Sequence, residues 1–69
     1  MNIVVNGEQH EAEEPLTVAH LLQKLDLHSD RVAVEINLHI LDRGDFPTWK
    51  LHDGDHIEIL SFIGGGSAP

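Results

Sequence analysis

The amino-acid sequence predicts a small α+β fold, a mixed sheet of four to five strands with one main helix packed on one face. Three observations predict it. β-branched residues form a short run near the N-terminus and recur at every second position in two later stretches, which is the period of strands. One apolar stripe recurs at helical spacing. Asn, Asp and Gly mark the turns, and 69 residues leave room for one core.

The N-terminal stretch predicts a β-hairpin. Residues Ile3 to Val5 form a β-branched strand that ends at Asn6-Gly7, a dipeptide typical of two-residue turns. The return strand is expected at about His10 to Glu13, where a weak apolar pattern indicates an edge of the sheet. Pro15 ends it, because proline cannot donate a hydrogen bond to a neighbouring strand.

The helix is predicted from Val18 to Leu25. Thr17 is a favourable N-cap, and Leu16 before it can act as a hydrophobic staple. Four apolar residues at i, i+3, i+4 and i+7 form the stripe that faces the sheet: Val18, Leu21, Leu22 and Leu25. A polar loop is expected next, with Leu27 turned inward.

The second half predicts three further strands. Residues 32–36 carry Val or Ile at every second position, which gives that strand one buried face. A turn at Asn37 and a short strand at Ile40-Leu41 are expected to follow. Residues 43–50 are irregular, and their Phe46 and Trp49 are expected to close part of the core. Asp53-Gly54-Asp55 forms a tight turn before a last strand over residues 57–63.

This order of elements is that of the β-grasp, or ubiquitin-like, fold. Its first and last strands lie parallel in the middle of the sheet, and the C-terminus leaves from the end of a central strand. We therefore expect a β-grasp domain over residues 1–63 and a flexible glycine-rich tail over residues 64–69.

The last strand predicts a docking surface. Alternation places Ile57 and Ile59 on one face and Glu58, Leu60 and Phe62 on the other. If the isoleucines face the helix, Leu60 and Phe62 face solvent and form a patch that a partner can cover. The alternative, that residues 43–50 cover one of these side chains, remains open.

Composition restricts the class of partner and the compartment. Four basic residues stand against twelve acidic ones, for a formal net charge of −8, which opposes binding to nucleic acid or an anionic membrane. A protein partner with a basic docking face is expected, with solubility as the alternative role of the charge. The chain has no cysteine, no apolar run long enough to span a membrane and no basic N-terminal leader, so a cytoplasmic protein is expected.

No catalytic residues and no metal site are predicted. The six histidines are scattered without a ligand motif: His10, His20, His28, His39, His52 and His56. Asp53 and Asp55 lack the later acidic ligand of a calcium loop. No phosphate-binding glycine motif occurs, and no serine has the context of a catalytic triad.

Four stretches together form a combination typical of one protein family. They read IVVNGE, LTVAHLLQKLDL, RVAVEINLHIL and LHDGDHIEILSFIGGG. Over nearly its whole length the chain resembles the ThiS family, the sulfur carriers of thiamin biosynthesis. The last stretch is the most specific. The third departs from the family, in which VEVNGEI is frequent, because Leu38 and His39 replace the turn glycine and the acid.

The resemblance implies a carrier on which other enzymes act and which binds no cofactor itself. An E1-like adenylating enzyme of the ThiF type uses ATP to form an acyl-adenylate at the C-terminal carboxylate. Sulfur from a cysteine desulfurase route displaces AMP, and thiazole synthase of the ThiG type takes the sulfur from the thiocarboxylate. The site residues implied are Glu58, Leu60 and Phe62 for docking, Gly64, Gly65 and Gly66 for the partner's channel, and Gly66 as the modified residue.

The tail supports this interpretation but raises a question. Glycine has no Cβ and permits close approach of the backbone, as a narrow channel requires. The residues after the glycines, Ser67-Ala68-Pro69, depart from the family pattern. They are either a natural extension that a peptidase removes or an addition to the natural chain, and Gly65 remains an alternative functional terminus.

Two other functions remain open. The small subunit of molybdopterin synthase is a related β-grasp sulfur carrier, although such subunits are longer and end after two glycines. A ubiquitin-like interaction module without a carrier role would need the surface patch but not the glycines. Removal of the glycines distinguishes the interaction module from both carriers.

Overall fold

The computed structural model describes residues 1–62 and confirms the predicted mixed sheet with one helix. Its strands are β1 (Asn2–Val5), β2 (Glu8–Glu11), β3 (Val32–Ile36), β4 (His39–Ile40) and β5 (His56–Ser61), and its helix is α1 (Val18–Lys24). The strand order is β2-β1-β5-β3-β4. β1 and β5 are parallel, and the other pairs are antiparallel. β5 therefore lies at the centre of the sheet, as predicted.

Two hairpins with two-residue turns set the register at both edges. Asn6-Gly7 joins β1 to β2, and Asn37-Leu38 joins β3 to β4; all four residues have positive φ. The predicted position of the return strand was wrong by two residues, because this short turn pairs Glu8 directly with Val5. For the same reason β4 begins at His39, one residue before the predicted start, and Leu41 is buried beyond the strand.

The helix is confirmed at its predicted place. The Thr17 side chain accepts a hydrogen bond from the His20 backbone N–H at 3.2 Å and so caps the N-terminus. Three residues of the predicted stripe are buried, and the fourth, Leu25, is partly buried at the C-cap. They pack with the buried face of the sheet in one core: Ile3, Val5, Leu16, Val18, Leu21, Leu22, Val32, Val34, Ile36, Leu41, Phe46, Leu51 and Ile57.

Residues 43–50 cover the start of the helix and leave the opposite sheet face open. The backbone N–H groups of Val18 and Ala19 donate to the carbonyls of Trp49 and Phe46, at 3.0 and 2.9 Å, and these are donors that a helix N-terminus leaves unpaired. Phe46 is buried as predicted. The prediction for Trp49 was wrong: its side chain is 36% exposed and stacks on His39, with ring centroids 6.3 Å apart.

The last strand is shorter than predicted within the described residues, since β5 ends at Ser61. The predicted domain boundary after residue 63 lies outside the described residues. Within residues 1–62, no helix has the length and apolar character needed to cross a membrane.

Candidate docking surface

The two faces of β5 differ as the alternation predicted. Ile57 is buried and Ile59 is partly buried against the core. On the opposite face Leu60 is 65% exposed and Phe62 is 46% exposed. Residues 43–50 do not cover either side chain, because that segment lies at the helix N-terminus. The structure therefore leaves two large apolar side chains uncovered on the central strand.

Two further apolar side chains extend this surface, and sequence reasoning missed both. Ile40 is 76% exposed and Leu38 is 90% exposed. The register places Ile40 opposite Glu35 and Glu35 opposite Glu58, while Leu60 lies opposite Ala33 on the same face. One groove is lined by Leu38, Ile40 and Leu60 together. We call Leu38, Ile40, Leu60 and Phe62 the apolar patch.

Among the described residues that line the groove, only acidic ones carry a formal charge. Glu35 and Glu58 lie directly opposite each other on neighbouring strands, and like charges in that position disfavour the pairing. The residues that line the groove include both acids and no lysine or arginine. A partner that presents a cationic side chain here would relieve the repulsion between the two acids. We therefore expect the basic face of the predicted partner to lie against Glu35 and Glu58.

The two turn asparagines hold β5 through their side chains, Asn37 at its first residue and Asn6 in its second half. Asn6 donates to the Ile59 carbonyl at 3.2 Å and accepts from the Ile59 N–H at 2.7 Å. Asn37 accepts from the His56 N–H at 2.9 Å and donates to the Asp55 carboxylate, also at 2.9 Å. Asn6 follows β1 and Asn37 follows β3, so each side-chain amide bonds to a backbone group of β5 that the neighbouring strand no longer reaches after its turn. We call these contacts the asparagine clips.

The end of β5 stays attached to the sheet up to the last described residue. The Phe62 N–H donates to the Arg31 carbonyl at 2.7 Å, which continues the pairing one residue beyond Ser61. Phe62, the last described residue, is therefore still held against the sheet. Gly64, Gly65 and Gly66 lie outside the described residues, as do Ser67-Ala68-Pro69.

The two aspartates considered for calcium binding have structural roles. The Asp53 carboxylate accepts from the Asn2 N–H at 2.7 Å, and the Asp55 carboxylate accepts from the His52 N–H at 2.8 Å. Gly54 between them has a φ of 88°, so the segment is the predicted tight turn. In residues 1–62, no three His, Cys, Asp or Glu side chains are placed to hold a metal ion.

Comparisons with known proteins agree on one family. The ThiS family profile matches residues 3–66. A crystal structure of a thiamine biosynthesis protein (ThiS) from Geobacter metallireducens superposes with a TM-score of 0.81 at 39% identity, over 96% of this chain and 100% of that one. An uncharacterized protein of Porphyra purpurea, ycf40, is 39% identical over 96% of this chain and 93% of its own length.

Two larger relatives are similar to this chain over one segment each. A protein named thiazole synthase from Paramagnetospirillum magneticum is 43% identical over 67 residues, which are 97% of this chain but 21% of that protein. A thiazole synthase from Magnetococcus marinus is 42% identical over all 69 residues, again 21% of its length. The chain thus spans about one fifth of the curated thiazole synthases that it matches.

Proposed function

The chain belongs to the ThiS family, and on that premise we propose that it carries sulfur for the thiazole-forming branch of thiamin biosynthesis. The observation that carries the proposal is the family match through residue 66, because it includes the three glycines on which a carrier depends. The ThiS-type fold and the thiazole synthases that contain a similar segment support it.

The chemistry requires only a terminal carboxylate from this chain. The carboxylate oxygen of Gly66 attacks the α-phosphorus of ATP on an E1-like adenylating enzyme, and pyrophosphate leaves. A sulfur donor at the oxidation level of sulfide then attacks the acyl carbon, and the C–O bond to AMP breaks. The product is a thiocarboxylate, with no net oxidation or reduction. The partner enzymes supply the ATP site and the sulfur donor, so this chain is a co-substrate and binds no cofactor.

Docking precedes that chemistry and uses the open sheet face. Leu60 and Phe62 are apolar and exposed, and Glu58 lies beside them with its carboxylate on the same face. From Phe62, the four residues 63–66 span at most about 14 Å when extended. A partner that covers Leu60 and Phe62 must therefore have its reactive centre within that distance of the end of β5. Ser67-Ala68-Pro69 has to be removed first, because only then is the free carboxylate on a glycine.

Thiazole synthase is the proposed acceptor of the sulfur. The relatives that bear this name contain a segment like the present chain in the same polypeptide. Such covalent linkage keeps a donor close to its acceptor and raises its effective concentration. We expect this chain to reach the same acceptor by docking.

The test is ATP–pyrophosphate exchange by the cognate adenylating enzyme with chains that end at Gly65, Gly66 or Pro69. We expect exchange with the Gly66 form, less with the Gly65 form because its reach is shorter by about 3.5 Å, and none with the Pro69 form. Equal exchange with the Pro69 form would refute the role of Gly66. Intact-mass analysis of the Gly66 form after reaction with ATP, the adenylating enzyme and a sulfide donor should show one oxygen replaced by sulfur.

A further inference from the structure

The apolar patch contains one residue whose backbone conformation is unfavourable for its side chain. Leu38 has a φ of 71°, in the left-handed region, where the Cβ of a branched side chain crowds the backbone. The equivalent position of the other hairpin holds Gly7, with a φ of 83°, which glycine adopts without such crowding. Two turns of the same length thus place different residues, glycine and leucine, at the same left-handed backbone position.

The Leu38 side chain contributes nothing visible to the fold in return. It is 90% exposed, the highest value among the exposed large hydrophobic residues of the described chain. A strained residue that persists without a packing role indicates a functional constraint on that position. The side chain lies on the groove that also contains Ile40 and Leu60, which joins it to the docking surface of β5.

We propose that Leu38 is an anchor residue that the adenylating partner recognises, through an apolar pocket bordered by a basic side chain. This inference rests on the proposed function. Charge complementarity argues for the occupant: Glu35 and Glu58 face each other within the groove, and no basic residue lines it. The partner's cation lies between the two carboxylates, and its apolar pocket receives Leu38 and Ile40. Burial of Leu38 in the complex offsets the strain that the free chain carries.

Substitution of Leu38 should therefore change the stability of this chain and its affinity for the adenylating enzyme in opposite directions. Leu38→Gly removes the strain together with the side chain, so it should raise the melting temperature by a few degrees, as expected when glycine replaces a larger residue at positive φ. The same variant should weaken binding to the adenylating enzyme about tenfold, as expected for loss of one partly buried leucine at an interface. A residue with only a structural role would not produce this opposition.

The experiment measures melting temperature by circular dichroism and the dissociation constant by calorimetric titration with the cognate adenylating enzyme, for chains ending at Gly66. Leu38→Asn is a second variant, because asparagine tolerates positive φ and lacks the apolar side chain; it should also bind more weakly. Glu35→Gln with Glu58→Gln should weaken binding and reduce its dependence on salt. Gln9→Ala, an exposed change on the far edge strand, is the control and should leave binding unchanged.

The outcomes separate this inference from the proposed function. If the unaltered chain binds and supports ATP–pyrophosphate exchange but Leu38→Gly and Leu38→Asn bind equally well, the anchor role is refuted and the carrier role stands. If Leu38→Gly weakens only the interaction with thiazole synthase, the assignment to the adenylating enzyme is wrong. If the unaltered chain neither binds the adenylating enzyme nor supports exchange, the carrier role and the anchor role of Leu38 are both refuted.

Discussion

The asparagine clips predict that two similar substitutions have similar effects on stability and different effects on the docking strand. Asn6→Gly and Asn37→Gly both keep a residue that accepts the observed φ of 50° and 51°. Each removes two side-chain hydrogen bonds to the β5 region. The turns should therefore form in both variants, so that the change in stability reports mainly the loss of the side-chain hydrogen bonds.

The expected loss of stability follows from the bonds removed. Each hydrogen bond contributes about 0.5–1.5 kcal/mol, with values near the lower end for these exposed contacts, and the flexibility that glycine adds to the unfolded chain costs roughly 0.5 kcal/mol more. Each variant should lose about 2 kcal/mol of unfolding free energy. For a domain of this size that lowers the melting temperature by roughly 8–16 °C.

Amide hydrogen exchange locates the effect. Asn6→Gly should increase exchange at Ile59, whose N–H donates to the Asn6 side chain, whereas Asn37→Gly should increase it at His56. Because Ile59 adjoins Leu60, Asn6→Gly should also weaken binding of the adenylating enzyme. Unchanged exchange at Ile59 in Asn6→Gly, or the same exchange pattern in both variants, would refute the positional role of the clips.

Two further substitutions test the core and the docking face. Leu21→Asp should abolish cooperative thermal unfolding, because it places an unpaired carboxylate at a buried position of the helix and costs several kcal/mol; a near-native melt would contradict the packing of the stripe. Leu60→Ala with Phe62→Ala should leave the melting temperature nearly unchanged and weaken binding to the adenylating enzyme. A stability loss of about 3–5 kcal/mol in this double variant would instead mean that the residues belong to the core.

Much of the fold could be predicted because its signals are local. Asn6-Gly7 defines the first turn by its own backbone preferences, and the spacing of Val18, Leu21 and Leu22 defines the buried side of the helix. The return strand was placed two residues too late, since EQHEAEE carries almost no apolar alternation from which to read a boundary. The position of Trp49 was wrong because a large aromatic residue in an irregular segment has no periodicity to show which way it points.

The apolar patch was predictable in one strand and not across strands. Alternation along β5 was sufficient to separate Leu60 and Phe62 from Ile57. Ile40 and Leu38 could not be assigned to the same surface, because their neighbours depend on the pairing of β4 with β3 and of β3 with β5. One available signal was Leu38 itself, a large apolar residue directly after Asn37 in a predicted turn.

By itself the sequence determined the element types, the β-grasp order, the family and the uncovered face of the last strand. These features follow from residue spacing and turn chemistry, which act over a few neighbouring residues. Only the tertiary structure decided that residues 43–50 cap the helix instead of covering Leu60, that the acids at 35 and 58 face each other, and that Leu38 joins the apolar patch at a positive φ. Those features depend on strand register and on contacts between distant segments, which no local pattern encodes.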